Sequence, residues 1–175
     1  MKLRALVVLT LIGCGGDDGG ATIDPSMPDT PYCAPAAGFT STALEDEILT
    51  IVNQHRAAGA TCGGQATAAV PPLTMVPSLR CAARVHTKDM VDRGYFDHTN
   101  PDGEAPWDRM ERAGYAWSSA GENIAAGNAT ATATMDQWMN SAGHCRNIMS
   151  ADFTDIGVGH VEAAAMWTQV FGAPR

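Results

Sequence analysis

The segment Ile156-Gly157-Val158-Gly159-His160-Val161 places a glycine at every second position of an apolar run, and this constrains the fold more than any other stretch of the chain. A period of two is that of a strand, and stripping the side chains from one of its faces lets another backbone come close. Met166-Trp167-Thr168-Gln169-Val170-Phe171 follows, β-branched and aromatic, so the two read as paired strands around Glu162-Ala163-Ala164-Ala165. Upstream the period is helical. Leu44, Ile48, Ile51 and Val52 share one face of a helix that Thr42 and Glu45 open as a capping box and Gly59 stops. Leu79, Ala82, Ala83, His86 and Met90 mark a second helix ending at Arg93-Gly94. Pro106 opens a third, with Trp107 and Met110 facing inward until Gly114. A fourth runs from Thr132 through Met135, Trp138 and Met139, until Ser141-Ala142-Gly143 interrupts it. The stretch TCGGQATAAVPPLTMVP reads as turns, and the run from Ala129 to Thr134 as a loop and cap. Helices first and a hairpin last predict an α+β domain with helices against an antiparallel sheet.

At the amino terminus Lys2 and Arg4 precede an apolar run from Ala5 to Gly13, the layout of a secretory signal. The run is too short to cross a bilayer as a helix, which takes about 20 residues. It closes on Leu11-Ile12-Gly13-Cys14, which resembles a bacterial lipobox. Residues 1–13 are therefore expected to be a lipoprotein-type signal peptide and Cys14 the lipidated first residue of the mature chain. The protein would then be extracytoplasmic, anchored to a membrane of the bacterial cell envelope rather than spanning it. Residues 14–38, rich in Gly, Pro and Asp, read as a flexible tether, and residues 39–175 as a single domain, expected to be monomeric. The formal charge of -8, more negative still once Lys2 and Arg4 leave with the signal, repels phosphate backbones and argues against nucleic acid as a partner.

Setting Cys14 aside leaves Cys33, Cys62, Cys81 and Cys145, an even number in an exported chain, which predicts two disulfides. Three connectivities are open. Pairing Cys62 with Cys81 closes a loop of about 19 positions, for which chain entropy gives about 3 kcal/mol, and Cys33 would then reach Cys145.

Three polar clusters stand out around His98, Glu122 and His144: Phe96-Asp97-His98-Thr99-Asn100-Pro101-Asp102-Gly103, Ala120-Gly121-Glu122-Asn123-Ile124-Ala125 and Gly143-His144. Their separation matches no local metal signature. Together with Asn53-Gln54-His55-Arg56, Trp138-Met139-Asn140-Ser141, Asn147-Ile148, Ile156-Gly157-Val158-Gly159 and Trp167-Thr168-Gln169-Val170-Phe171-Gly172, in this order from about Leu44 to Gly172, they resemble the CAP superfamily. This is the group of cysteine-rich secretory proteins, antigen 5 and pathogenesis-related proteins, here in its bacterial SCP-like form. The resemblance implies a three-layer α-β-α sandwich with a central antiparallel sheet and a cleft lined by His98, Glu122 and His144. Many animal members carry a second glutamate where this chain has Ser141, so the four-residue site is incomplete.

Two imidazoles and a carboxylate suit a divalent cation such as Zn²⁺, and the same three residues are the candidate metal ligands. Without metal, Glu122 would fix one imidazole's tautomer and raise its pKa. The expected role is a non-enzymatic binding module whose cleft takes an envelope, lipid or protein ligand. The alternative is a metal-assisted hydrolase of peptide or cell-wall material with Glu122 as general base. Neither G-x-S-x-G nor H-E-x-x-H occurs. His144 and Cys145, adjacent in the chain, are expected to serve different partners rather than form a reactive dyad. His86 reads as a satisfied core histidine, His160 as a strand surface residue, and Asn53 with Arg56 as ties from the first helix to the rest. Asp102-Gly103 reads as a turn, with calcium at Asp97 and Asp102 a minor alternative, and the sequon at Asn128 is discounted in a bacterial chain.

Overall fold

The fold is given by a computed structural model that describes residue 28, residues 30–36 and residues 42–175. The signal, Cys14 and most of the expected tether lie outside the described residues. Helix α1 (Thr42–Ala58) leads into a small hairpin of β1 (Ala60–Cys62) and β2 (Gln65–Thr67), then the short β3 (Thr74–Met75). Helices α2 (Pro77–Arg93) and α3 (Pro106–Arg112), each started by a proline, precede strand β4 (Trp117–Ala126). Helices α4 (Ala131–Met139) and α5 (Ala142–Ile148) follow, and strands β5 (Asp155–Val161) and β6 (Met166–Pro174) close the chain. The main sheet runs β3-β5-β6-β4, antiparallel apart from the two-residue pairing of β3 with β5. With helices on both faces this is the expected α+β, α-β-α sandwich. The β1–β2 hairpin, read from sequence as turns alone, closes on Gly63 and Gly64 at φ 59° and 83°, the two positive values that a tight hairpin turn demands.

Strand parity builds the layers. In β5, Ile156 and Val158 face one side with Trp167 and Phe171 of β6, and there α1, α4 and α5 cover them with Ile48, Val52, Met135, Trp138 and Ile148. On the other side Val170 meets Leu79, Cys81, Ala82 and Ala83 of α2 and Met110 of α3. Gly157 and Gly159 point to that second side, where α2 lies directly on the strand. A methyl group added at Gly157 would overlap the Leu79–Arg80 peptide, and one at Gly159 would come within 2.5 Å of the Ala83 carbonyl carbon. Large buried residues hold the other face, where Trp138 and Trp167 are fully covered and donate to the Ile124 and Asn128 carbonyls at 3.1 and 2.7 Å. Burying such a side chain is worth roughly 1.5–3 kcal/mol.

The disulfides join Cys33 to Cys81 and Cys62 to Cys145, with Cα separations of 5.5 and 5.4 Å. This corrects the pairing expected from loop length. Loop-closure entropy separates the two arrangements by only about half a kcal/mol, so packing decides. Cys81 lies in the core under α2 and Cys62 in the core under α1, on opposite faces of the sheet. Residues 30–36, assigned to the tether, form a strap instead: Cys33 and Ala36 are buried against α2.

The Thr42 side chain of the expected capping box lies outside the described residues, while Glu45 is buried and takes the Arg84 guanidinium at 2.6 Å and the His160 amide at 3.2 Å. Two further expectations change. His160 is fully buried and stacked on Trp167 at 3.5 Å, because its side of β5 faces the core. Trp107 is half-exposed, since the inward face of α3 is taken by Pro106, Arg109 and Met110. The expected ties from α1 do form. Asn53 pairs with both backbone groups of Leu73, and the Arg56 guanidinium donates to the carbonyls of Pro71, Ile148, Ser150 and Phe153.

Candidate functional site

Strand β4 is an edge strand, and its alternation sends Glu122 to the α2–α3 face and Asn123 to the α4–α5 face. Glu122 is where the chain's polar side chains converge. Its Oε1 accepts from His98 Nδ1 at 2.8 Å, and its Oε2 accepts from the Arg109 guanidinium at 2.7 Å. The carboxylate is only 1% exposed, whereas the His98 ring is 47% exposed, so the buried acid is presented to solvent through the imidazole. That hydrogen bond raises the His98 pKa and makes Nδ1 the protonated nitrogen, leaving Nε2 for a partner other than Glu122.

Two residues of this centre were not read as functional from sequence. His86, on the apolar face of α2, has Nε2 3.0 Å from the Asp97 carbonyl and 3.7 Å from Glu122 Oε1. Burial pushes its pKa down to about 4, so at neutral pH it is an uncharged donor, and its contact with Glu122 is no ion pair. Arg109 is 1% exposed and donates to Glu122, to the His98 carbonyl at 2.9 Å and to the Glu104 carbonyl at 3.0 Å. It fixes both the acid and the loop that carries the histidine. The available sequence signal was a charged residue on the inward stripe of a short helix, three positions after Pro106 and beside Met110.

His144 belongs to the other face of the sheet. It lies on α5, within which Gly143 is an ordinary helical residue rather than the expected turn. Its carbonyl accepts from Asn123, which also donates to Gln169, while Asn147 donates to Asn123 and to the Glu122 carbonyl. An amide network thus locks α5 to β4. Burial and then the nearby His98 lower the His144 pKa, and its Nδ1 is buried with no partner among the described residues. Cys145 turns into the core and is spent on Cys62, so no thiol stands beside this imidazole.

The three candidate residues therefore divide. His98 and Glu122 are bonded; His144 lies near enough to feel His98 yet joins no shared hydrogen bond. Among the described residues no group of three or more His, Cys, Asp or Glu side chains is placed to hold a metal ion. Both Glu122 oxygens are committed, so a cation here would have to draw on the histidine nitrogens, with Glu122 orienting His98 from behind in the way carboxylates orient metal-binding imidazoles. Asp102 is tied to Arg93 at 2.5 Å beside the Gly103 turn, and Asp97 caps the Thr99 amide, which leaves neither directed at a shared cation.

A profile of the cysteine-rich secretory protein family, CAP, matches residues 49–171. The uncharacterized protein YkwD of Bacillus subtilis (strain 168) is 34% identical over 155 residues, which cover 89% of this chain and 57% of that protein. The uncharacterized membrane protein YlbC of the same organism is 35% identical over 74 residues, 42% of this chain and 21% of that protein. The chain thus spans less than two thirds of either relative. Among solved structures, an extracellular protein containing an SCP domain from Bacillus anthracis superposes at a TM-score of 0.64 and 29% identity, over 84% of this chain and 45% of that one. An outer surface protein from Borrelia burgdorferi shares the fold, at a TM-score of 0.68 and 15% identity over 78% of this chain and 97% of that one. Profile and relatives agree on one assignment: the chain belongs to the cysteine-rich secretory protein, or CAP, family.

Proposed function

We propose that this CAP domain is a monomeric, non-enzymatic binding module, held outside the cytoplasm by a lipid on Cys14, whose His98–Glu122–His144 cleft takes an envelope, lipid or protein ligand. The observation that carries this reading is the sealing of Glu122. A general base must reach the proton it removes, and this carboxylate is buried with one oxygen on His98 and the other on Arg109. What solvent meets is an imidazole poised to donate or accept. The exposed large hydrophobic side chains support a ligand surface: Phe96 and Trp107, each about half exposed, sit on the loop that carries His98 and on the helix that carries Arg109. Among the described residues no helix is long and apolar enough to cross a membrane, which is compatible with an anchor on Cys14.

A second reading is favoured by His98 itself. With Nδ1 given to Glu122, its Nε2 and the His144 ring offer nitrogens to a divalent cation such as Zn²⁺, which would supply Lewis acidity when bound. The test separates the readings. Purified full chain is incubated with envelope lipid extract, glycan fragments and labelled peptide, and bound species are identified by native mass spectrometry, with zinc titrated in parallel by calorimetry. Retention of a species by the wild type and its loss in His98→Ala supports the binding module. No retention, or equal retention by both, overturns it, and peptide turnover abolished in Glu122→Gln transfers the site to the hydrolase.

A further inference from the structure

Strand β4 ends the main sheet: β6 pairs with one of its edges, and no strand among the described residues pairs with the other. The register says which backbone groups that second edge carries. The Gly172 carbonyl accepts from the Thr154 amide at 3.0 Å, on the β5 side of β6, so Gly172 faces away from its β4 partner Ala120 and the two form a non-hydrogen-bonded pair. Alternation then turns the N–H and C=O groups of Ala120, Glu122 and Ile124 outward. Two of these carbonyls are met from the α4–α5 layer, where Asn147 donates to Glu122 at 3.2 Å and the Trp138 ring to Ile124 at 3.1 Å. The Ala120 N–H and C=O and the Glu122 N–H remain, about 7 Å apart along the edge and without a backbone partner among the described residues. Solvent reaches this stretch. Ala120 is half-buried, and Glu122 is 7% exposed as a residue although its side chain is only 1% exposed, so the part of it that meets solvent is backbone.

An unpaired strand edge is a template for another chain. We propose that the ligand of this cleft is an extended peptide segment of another protein, added to β4 as a fifth strand. Two of its carbonyls, two residues apart, accept from the Ala120 and Glu122 amides, and one of its amides donates to the Ala120 carbonyl. The proposal rests on the reading of the chain as a binding module and narrows its ligand to a peptide. Donors and an acceptor at ladder spacing match a peptide backbone rather than a lipid or a glycan. The edge is also short, since a bulge between Trp117 and Ser119 breaks it at one end and Trp138 closes it at the other. His98 borders it on the α2–α3 side, bonded to the Glu122 carboxylate, and α5 borders it on the opposite side through Asn147. A folded second copy would press its own flanking helices against both, whereas a single extended segment brings only side chains.

The experiment screens the full chain against an immobilised library of random peptides of about ten residues, and follows the tightest binder by calorimetry and amide hydrogen exchange. Two results together support the proposal. The peptide loses at least about tenfold in affinity when N-methylated at one set of alternating positions but not at those between, and it slows exchange of the Ala120 and Glu122 amides but not of Gly121 and Asn123, which already bond to β6. Ala120→Pro removes the outward N–H without touching the ladder to β6 and should abolish binding; if that variant fails to fold, the N-methyl series and the exchange pattern decide. No peptide retained up to about 1 mM, indifference to N-methylation, full binding by a folded Ala120→Pro, or protection of the same two amides by dimerisation of the chain alone, each overturns it. A lipid or glycan that His98→Ala releases while the Ala120 amide exchanges freely overturns the added strand and leaves the cleft reading in place. A peptide that protects both amides equally in His98→Ala supports the strand and removes His98 from the ligand's contacts.

Discussion

Glu122 joins elements that are distant in the chain, and its charge does two separate things. It raises the pKa of the half-exposed His98, and it neutralises Arg109, which is buried and could not stay there alone. Glu122→Gln separates the two effects, because the amide keeps the shape and removes the charge. The His98 pKa is expected to fall from its raised value toward the ordinary value near 6.5, followed by NMR titration of the ring carbon-bound protons. In the same variant the unpaired Arg109 should cost about 3–5 kcal/mol in urea unfolding. An unmoved His98 pKa would show that the 2.8 Å hydrogen bond does not set its charge.

The elements show what a glycine is for. On β5, Gly159 has the Ala83 peptide of α2 where a side chain would go, and neither backbone can yield without parting helix from sheet. Gly159→Ala should therefore lose about 1–3 kcal/mol or more in urea unfolding. Gly143, in the exposed part of α5 with nothing within 4 Å of an added methyl, makes the opposite case. Gly143→Ala should gain about 0.5–1 kcal/mol by removing backbone freedom from the unfolded chain. The β5 glycines were legible in sequence because a period of two on one strand is a local signal. Strand β4 was not: Ser118, Ser119, Ala120 and Gly121 carry no strand preference, and they become a strand by pairing with β6 along nearly its whole length. The same limit applied to the cysteines, whose partners depend on which face of the sheet each one enters. His98 and Glu122 could be placed by motif order, while His86 read as a core histidine and Arg109 drew no reading until β4 brought Glu122 to both.

Across the whole molecule the histidines pull stability in opposite directions with pH. His86 and His160 are fully buried, and burial holds both near a pKa of about 4. His144 is shifted the same way. In the unfolded chain each titrates near 6.5, so as pH falls below that value the unfolded state takes up protons that the folded state refuses, and stability drops until the folded pKa is reached. His98 has the contrary sign: its raised folded pKa adds stability below 6.5 that is lost as pH rises through the folded value, but its half exposure weakens the term. The buried histidines should win. The unfolding free energy, measured in urea, is expected to fall by on the order of 2 kcal/mol between pH 6.5 and 5, above the range where ordinary carboxylates titrate. His160 isolates the effect, since both its ring nitrogens are without partners among the described residues and it is stacked on Trp167. His160→Leu should make this slope shallower by up to about 1.4 kcal/mol per pH unit, the contribution of one proton, whatever it does to stability at pH 7. A slope unchanged by the substitution would mean that His160 takes up its proton in the folded state as readily as in the unfolded one, which a ring sealed between Trp167 and the core has no solvent to support.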